Sequence, residues 1–304
     1  MALPEPRNFG FQSVPAVQRW MGGAVIANTY GIESMYWNPA GLASLEGTEA
    51  AFTHLPYFAD IDVDFGGIAT HIEGFGTLGL GAKVISIGNI EETTDAFPDG
   101  TGRFFDPTMA VIGLTYSKVL TSNVSFGVTG NLIHERIFEV SATGVAFDVG
   151  FLYEPKWRGV HMGLTLKNYG PEMEFSGRGF ERKLNDDHKA SPNSATFDLP
   201  SSINLGLAYD FVTEGLNVAT LSGNFRSNNF SEDLWQSGVE YVYDQKYFIR
   251  GGYNFSSQDN YMYGMSFGAG LIVPLGESKI GFEYSWTETE FFTNNQYFTV
   301  KFNF

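Results

Sequence analysis

The stretch "INLGLAYDF" (residues 203–211) alternates between two kinds of residue along the chain. Its odd-numbered residues are large and apolar, whereas its even-numbered residues are Asn, Gly, Ala and Asp. Such alternation is typical of a β-strand with one apolar face and one small or polar face. The same pattern recurs at residues 122–132, 145–154, 160–167, 247–255 and 280–287. The chain is therefore predicted to be all-β.

Fourteen strands are predicted from residue 48 onward, although the third and the ninth alternate poorly. They span residues 48–55, 61–72, 76–88, 107–119, 122–138, 142–154, 160–168, 201–211, 215–227, 233–243, 246–255, 262–273, 278–289 and 295–304. Many are longer than the roughly 5–6 residues usual in soluble proteins. Short turns at one end and two long loops (89–106 and 169–200) at the other are typical of bacterial outer-membrane barrels. We predict a 14-stranded antiparallel transmembrane β-barrel; the alternative is a soluble β-sandwich binding module.

The amino-acid composition excludes several classes of function. The 304 residues carry a formal net charge of −16 and contain no cysteine. Because no basic patch is present to neutralise phosphates, nucleic acid is excluded as a partner. The lack of cysteine excludes disulfides, thiol nucleophiles and thiolate metal sites. No G-x-S-x-G motif or comparable cluster of catalytic residues is found, so we predict neither an enzyme nor a cofactor.

The predicted location is the outer membrane of a Gram-negative-type bacterium, where lipid and lipopolysaccharide surround the barrel. No apolar run reaches the roughly 18 residues that a transmembrane helix needs. The mean hydropathy of −0.10 agrees with a barrel, because only alternate residues of its strands face lipid. Residues 1–30 lack the pattern of a secretory signal peptide, although export would require one.

Residues 1–46 lack the alternation and carry apolar side chains in no regular order. A fourteen-stranded barrel is too wide for its own inward side chains to fill, since about eight strands is the packing limit. We therefore predict that residues 1–46 form a hatch, or plug, in the lumen of a barrel built from residues 47–304; the alternative is an N-terminal arm on a soluble domain. Asn38 is predicted to cap a short helical turn that begins at Pro39. The hatch motif consists of Trp37, Asn38, Pro39, Ala40, Gly41 and Leu42.

The two long loops contain apolar residues that are predicted either to cover the lumen or to contact a ligand or protein partner. These residues are Phe97, Phe104, Phe105, Met173, Phe175, Phe180 and Phe197. In the string "DIDVD", three carboxylates share one strand face, and we expect them to line the lumen. Calcium binding is their weaker alternative role, and no other metal site is predicted. The three residues are Asp60, Asp62 and Asp64.

The C-terminal string "QYFTVKFNF" (296–304) alternates up to a final phenylalanine. It resembles the C-terminal signal that the outer-membrane insertion machinery recognises, although an ordinary last strand would show the same alternation. The residues of the predicted signal are Phe298, Val300, Phe302 and Phe304.

The string "WMGGAVIANTYGIESMYWNPAGLASL" (20–45) resembles the N-terminal hatch of FadL-type outer-membrane proteins, in which an Asn-Pro-Ala motif recurs. It is more similar still to the PorV/PorQ family, and "LKNYGPEMEF" (166–175) and "GVEYVYDQKYFIRGGY" (238–253) are similar in kind. The PorV/PorQ resemblance implies capture or shuttling of type IX secretion cargo. The expected partners are then secreted proteins with a type IX C-terminal domain, or other translocon components. The FadL-type resemblance implies the alternative, passage of a hydrophobic small-molecule ligand across the outer membrane.

Overall fold

The computed structural model describes residues 21, 23–57, 61–155, 159–185, 188–190, 193–214, 216–256, 261–290 and 293–304. These residues form a closed antiparallel barrel of fourteen strands, in which each strand pairs with its sequence neighbours and the last pairs with the first. The strands are β1 (Thr48–Pro56), β2 (Asp62–Ile72), β3 (Gly76–Ser86), β4 (Thr108–Thr121), β5 (Val124–Ile137), β6 (Val140–Tyr153), β7 (Val160–Tyr169), β8 (Ser202–Glu214), β9 (Asn217–Asn228), β10 (Leu234–Tyr243), β11 (Tyr247–Ser256), β12 (Tyr263–Leu275), β13 (Ser278–Thr289) and β14 (Asn295–Asn303). The predicted fold and strand number are confirmed.

The connections divide the barrel into a short-turn end and a long-loop end. Each even-numbered strand is joined to the next strand by a short connection, so these connections share one end. The long-loop end carries two longer excursions, which contain the remaining short strands. Ile90–Glu91 pairs with Phe104–Phe105, Ser176–Gly177 pairs with the start of β6, and Arg182–Asn185 pairs with His188–Ala190.

The described helices are short. Three are 3-10 helices, at Gly31–Glu33, Pro39–Ser44 and Arg178–Phe180, and one is an α-helix at Ser34–Trp37. Among the described residues, none of these helices has the length and apolar character that a membrane span requires.

The outer face of the barrel is apolar over most of its height. Leu205, Leu207 and Tyr209 of β8 are exposed, whereas Asn204 and Ala208 between them are buried. Because a bilayer offers no water to backbone groups, a closed ladder of strand pairs is one of the few structures that satisfies them there. Exposed aromatic residues continue this face toward both rims, for example Trp235 near the long-loop end and Tyr247 near the short-turn end.

The inner face carries charged residues that pair with one another. Arg250 of β11 contacts Glu240 of β10, and its Nη1 lies 3.8 Å from Oε2 of Glu283 on β13. Lys301 Nζ on β14 donates to Oε1 of the same Glu283 over 2.6 Å. Buried charges persist when they are paired, because an unpaired charge in a low-dielectric interior is costly.

Candidate functional site

Residues 23–45, named here the inner segment, lie against the inner face of the barrel. Val25, Ile26, Ile32 and Leu42 are at most 1% exposed. Val25 and Ile26 pack in one apolar cluster with inward-facing residues of the first three strands. Those barrel residues are Leu55, Val63 and Ile85. Of the predicted 1–46 hatch, residues 1–20 and 22 lie outside the described residues.

A pair of facing glycines makes room for the middle of the inner segment. Gly127 of β5 and Gly150 of β6 stand directly opposite each other. A Cβ atom on Gly127 would overlap the backbone of Pro39, and one on Gly150 would overlap the side chain of Asn38. The Asn-Pro-Ala motif therefore packs directly on the barrel wall.

The start of the inner segment packs against a second pair of facing glycines. Gly163 of β7 is opposite Gly206 of β8. A Cβ atom on Gly163 would overlap the carbonyl group of Ile26, and one on Gly206 would lie 2.9 Å from the amide nitrogen of Ala27. The backbones of the inner segment and of the two strands are thus in direct contact, which a side chain at either glycine would prevent.

Asn38 is fully buried and joins three parts of the structure. Its Nδ2 donates to the carbonyl of Ile26 (2.8 Å) and to the carbonyl of Phe151 on β6 (3.1 Å). Its Oδ1 accepts from the amide of Ala40 (3.2 Å), so Asn38 is the N-cap of the 3-10 helix Pro39–Ser44, as predicted. One side chain therefore ties the two halves of the inner segment to each other and to the wall.

An ion pair holds the inner segment to the opposite wall of the barrel. Glu33, which is buried, contacts Lys301 of β14, and Lys301 also reaches Glu283. The amide of Ile32 donates to Oε2 of Glu49 on β1 over 2.9 Å. Sequence patterns could not reveal the Glu33–Lys301 pair, because its two members lie at opposite ends of the chain.

Lys301→Met is expected to destabilise the folded protein by about 3 kcal/mol, because it leaves two buried carboxylates without their shared cation. Unfolding by urea in detergent micelles measures this effect. Lys279→Met is the matched control, since Lys279 sits on the adjacent strand but is exposed. Equal stability of the two variants would show that the Glu33–Lys301 pair does not hold the segment.

A polar cluster anchors the inner segment near the short-turn end. The hydroxyl of Tyr30 donates to Oε1 of Glu154 over 2.7 Å. His161 lies between two carboxylates, with Nδ1 3.3 Å from Glu154 Oε1 and Nε2 3.0 Å from Asp210 Oδ2. Burial and the adjacent Glu154 raise the pKa of Tyr30, so this phenol remains a neutral donor. The hydrogen bond with His161 lowers the pKa of Glu154, which keeps that carboxylate ionised as the acceptor.

A cavity of about 70 Å³, named here the upper cavity, lies between the inner segment and the long-loop end. One part of its lining is apolar and aromatic, and another part carries two lysines and one aspartate. The lining includes Met35, Tyr36, Phe65, Gly81, Lys83, Val111, Asn131, Asp148 and Lys167. Such a mixed lining fits a small, mostly apolar ligand that carries one polar group.

A larger and more open chamber of about 490 Å³, named here the lower chamber, lies beside the inner segment toward the short-turn end. Its lining carries many charged residues, which include Glu33, Glu49, Glu240, Arg250, Glu283 and Lys301. Glu33 faces this chamber, whereas Met35 and Tyr36 line the upper cavity. The α-helix Ser34–Trp37 and the turn before it therefore lie between a small cavity of mixed lining and a larger chamber that is rich in charged residues.

The second long loop folds over the barrel mouth. Met173 and Phe197 pair as an isolated bridge, and Met173 is 2% exposed. Met173 packs with Ile133 of β5 and with Leu199, and the ring of Phe175 stacks on that of Phe197 at 5.4 Å. These three loop residues thus form a packed cover, which is one of the two roles predicted for them.

The other candidate contact residues are more exposed. Phe97 and Phe104 of the first long loop are each 60% exposed, while the ring of Phe105 lies 5.0 Å from that of Phe138. Phe180 is half-buried in the second loop. No contact with a ligand or partner is shown for these residues, so that role stays a prediction.

The acidic row faces away from the lumen, which differs from our expectation. Asp62 and Asp64 alternate with the buried, inward-facing Val63 and Phe65 of β2. Asp64 Oδ1 lies 2.8 Å from Nδ1 of His54, on the outer face near the long-loop end. Val63, which belongs to the apolar cluster with Val25 and Ile26, and Phe65 occupy the inward positions of β2, so the two aspartates face outward. Asp60 lies outside the described residues, and no group of three or more His, Asp or Glu residues within the described ranges could hold a metal.

The last strand matches its predicted orientation. Phe298, Phe302 and Phe304 are exposed on the outer face, together with the half-buried Val300. Their role as an insertion signal stays a prediction.

Comparison with solved structures relates this geometry to known barrels. The P. putida toluene transporter TodX matches with a TM-score of 0.62 and 13% identity, over 97% of this chain and 99% of that one. The CymD monoaromatic hydrocarbon channel matches with a TM-score of 0.60 and 11% identity, over 94% and 95%. A Pseudomonas aeruginosa FadL homologue matches with a TM-score of 0.55 and 14% identity, over 96% and 98%. The chain has the FadL-type barrel fold. No family model and no curated protein sequence matches the chain.

The FadL-type fold is that of outer-membrane proteins, which agrees with the predicted location. The three matching proteins are a transporter, a channel and a FadL homologue. None of the three is a type IX secretion protein by name, so the predicted PorV/PorQ membership and its cargo gain no support from them.

Proposed function

We propose that the chain is an outer-membrane channel for small hydrophobic molecules, with the inner segment as its plug. The upper cavity carries the proposal, because it is a partly apolar space directly above residues 35–36 of a segment that packs across the lumen. The shared fold with channels for toluene and monoaromatic hydrocarbons supports it. In this scheme the long-loop end faces outward, and a ligand enters beneath the cover formed by Met173, Phe175 and Phe197.

Capture of type IX secretion cargo remains a separate prediction with less support. The exposed side chains of Phe97 and Phe104 are the surface that such cargo would contact. Crosslinking of this loop to a secreted protein in cells tests that role independently of the cavity.

Gly81→Leu tests the channel role. Gly81 faces the upper cavity, and a Cβ atom there would lie 3.2 Å from Cε of Met35, the flexible end of a side chain. We expect the added isobutyl group to occupy the cavity and to abolish the saturable uptake of radiolabelled toluene by cells that express the chain. Gly66→Leu is the matched control, since a Cβ atom on Gly66 of the neighbouring strand would have no heavy atom closer than 3.9 Å. Unchanged uptake in Gly81→Leu would refute the use of this cavity.

A further inference from the structure

Met35 lies between the upper cavity and the lower chamber. The residue is 5% exposed and lines the upper cavity. It also belongs to an apolar cluster with Leu42, Leu45 and Ala69, and Leu45 lines the lower chamber. A molecule that leaves the upper cavity toward the lower chamber on this side must therefore pass the Met35 side chain.

The wall of β3 carries no side chain where the end of Met35 lies. A Cβ atom on Gly79 would lie 2.6 Å from Sδ of Met35, and one on Gly81 would lie 3.2 Å from its Cε. Methionine is unbranched and has three rotatable bonds, so it adapts its shape more readily than other apolar residues of its size. Because no side chain projects from the wall at these two glycines, the end of Met35 can move along it.

Other residues of the cavity lining are fixed by hydrogen bonds. Asp148 accepts from Nδ2 of Asn131 at Oδ2 over 3.1 Å. Lys167 donates to the carbonyl of Tyr36, and its Nζ lies 3.7 Å from the centroid of the Tyr36 ring. Moving any of these residues would break a polar contact, whereas moving the end of Met35 exchanges one apolar contact for another.

The volume of the upper cavity shows why such a movement is needed. The cavity measures about 70 Å³, whereas a cavity of about 150 Å³ is known to hold benzene in another protein. Met35 has three heavy atoms beyond Cβ, and each occupies about as much space as the roughly 30 Å³ of a water molecule in the liquid. Withdrawal of this side chain would enlarge the cavity to about 160 Å³, which is enough for one aromatic ring.

We propose that Met35 is the gating residue of the channel: a single aromatic ring enters the upper cavity only when the Met35 side chain withdraws toward Leu45 and the lower chamber. This inference rests on the proposed channel function and narrows its substrate class from small hydrophobic molecules to molecules with one ring. The role depends on the volume and the mobility of the side chain, and substitutions can change these two properties separately.

Uptake of radiolabelled toluene by cells that express each variant tests the gate. Met35→Ala removes the volume, so we expect saturable uptake to rise at least threefold. Met35→Ile keeps an aliphatic side chain of similar size but is stiff at χ1, so we expect uptake to fall at least fivefold. Naphthalene, which has two rings, is expected to enter at least tenfold more slowly than toluene in both wild type and Met35→Ala.

Leu152→Ala is the matched control, since Leu152 is 3% exposed and lies on β6 outside the lining of the upper cavity. Heat-modifiable mobility on gels must show that all variants form barrels, and the control is expected to change toluene uptake by less than twofold. Crystals of the full chain soaked with iodobenzene locate the ring through the anomalous scattering of iodine. We expect iodine in the upper cavity of Met35→Ala, and in wild type only together with a displaced Met35 side chain.

The outcomes separate this inference from the function on which it rests. Saturable toluene uptake that is equal in wild type and both Met35 variants would overturn the gate and leave the channel function in place. Iodobenzene in the wild-type cavity beside an unmoved Met35 would overturn the size argument. An equal rise of uptake in Leu152→Ala and Met35→Ala would show that lost stability opens the path, which also overturns the gate. Absence of toluene uptake in wild type and in both Met35 variants would count against the channel function itself.

Discussion

Gly163→Val is expected to turn a closed barrel into an ion-conducting pore. The new side chain would overlap the carbonyl of Ile26, where two backbones are in direct contact. Strand β7 cannot yield easily, because it pairs with β8 from Val160 to Lys167 and with β6 on its other side. Forcing extra volume into a packed site costs about 1–3 kcal/mol, so the inner segment is expected to move instead. Single-channel recording in planar lipid bilayers measures the resulting conductance.

Gly223→Val is the control for this experiment. Gly223 lies on β9 at an outward-facing position, and the nearest heavy atom to an added Cβ would be 4.0 Å away, at the carbonyl of Gln236. Heat-modifiable mobility on gels must first show that both variants form barrels. If folded Gly163→Val conducts no more than wild type while the control behaves normally, the inner segment does not close the lumen.

The fold could be predicted from sequence because lipid and lumen impose opposite demands on alternate residues. Over residues 203–211 of β8, each outward position is a large apolar residue and each inward one is small or polar, and the structure repeats this pattern. The strand count followed from the same alternation together with the turns. Short connections fix the order of neighbouring strands, since adjacent antiparallel strands need only a tight turn.

The alternation weakened where the barrel wall meets the inner segment. Inward positions of β3 include Gly79 and Gly81, where an added Cβ atom would lie within 3.2 Å of Met35, and Ile85, which joins the apolar cluster. An apolar residue facing inward blurs the contrast between the faces, which is why residues 76–88 alternate poorly. The same cause explains the reversed orientation of Asp62 and Asp64, because Val63 and Phe65 take the inner positions there.

The site could be predicted in part. The Asn-Pro-Ala motif and its cap at Asn38 are local, so a few residues of sequence were enough to predict them. The upper cavity is not local: Lys83, Asp148 and Lys167 come from three different strands and meet only when the barrel closes. The Glu33–Lys301 contact likewise depends on closure. Sequence similarity to secretion barrels could not identify such a cavity, because its character depends on side chains far apart in the chain.

Asn38→Asp is expected to release the inner segment without adding bulk. Aspartate has nearly the same shape as asparagine, but an ionised carboxylate cannot donate to the carbonyls of Ile26 and Phe151. The variant loses both of these hydrogen bonds, and its new negative charge faces the two carbonyl oxygens, which together cost at least about 1–3 kcal/mol. We expect amide hydrogen exchange in residues 23–45 to become at least about tenfold faster, since 1.4 kcal/mol corresponds to a factor of ten.

Asn123→Asp is the matched control, because Asn123 lies in the turn between β4 and β5, where it bonds to the adjacent Ser122 over 2.7 Å. Exchange within the β-strands should be unchanged in both variants, which separates release of the segment from unfolding of the barrel. If exchange in residues 23–45 stays slow in Asn38→Asp, the contacts with the two pairs of facing glycines and the Glu33–Lys301 pair hold the segment without the asparagine. If exchange is fast but conductance stays at the wild-type level, the segment loosens without leaving the lumen, and opening requires the ligand.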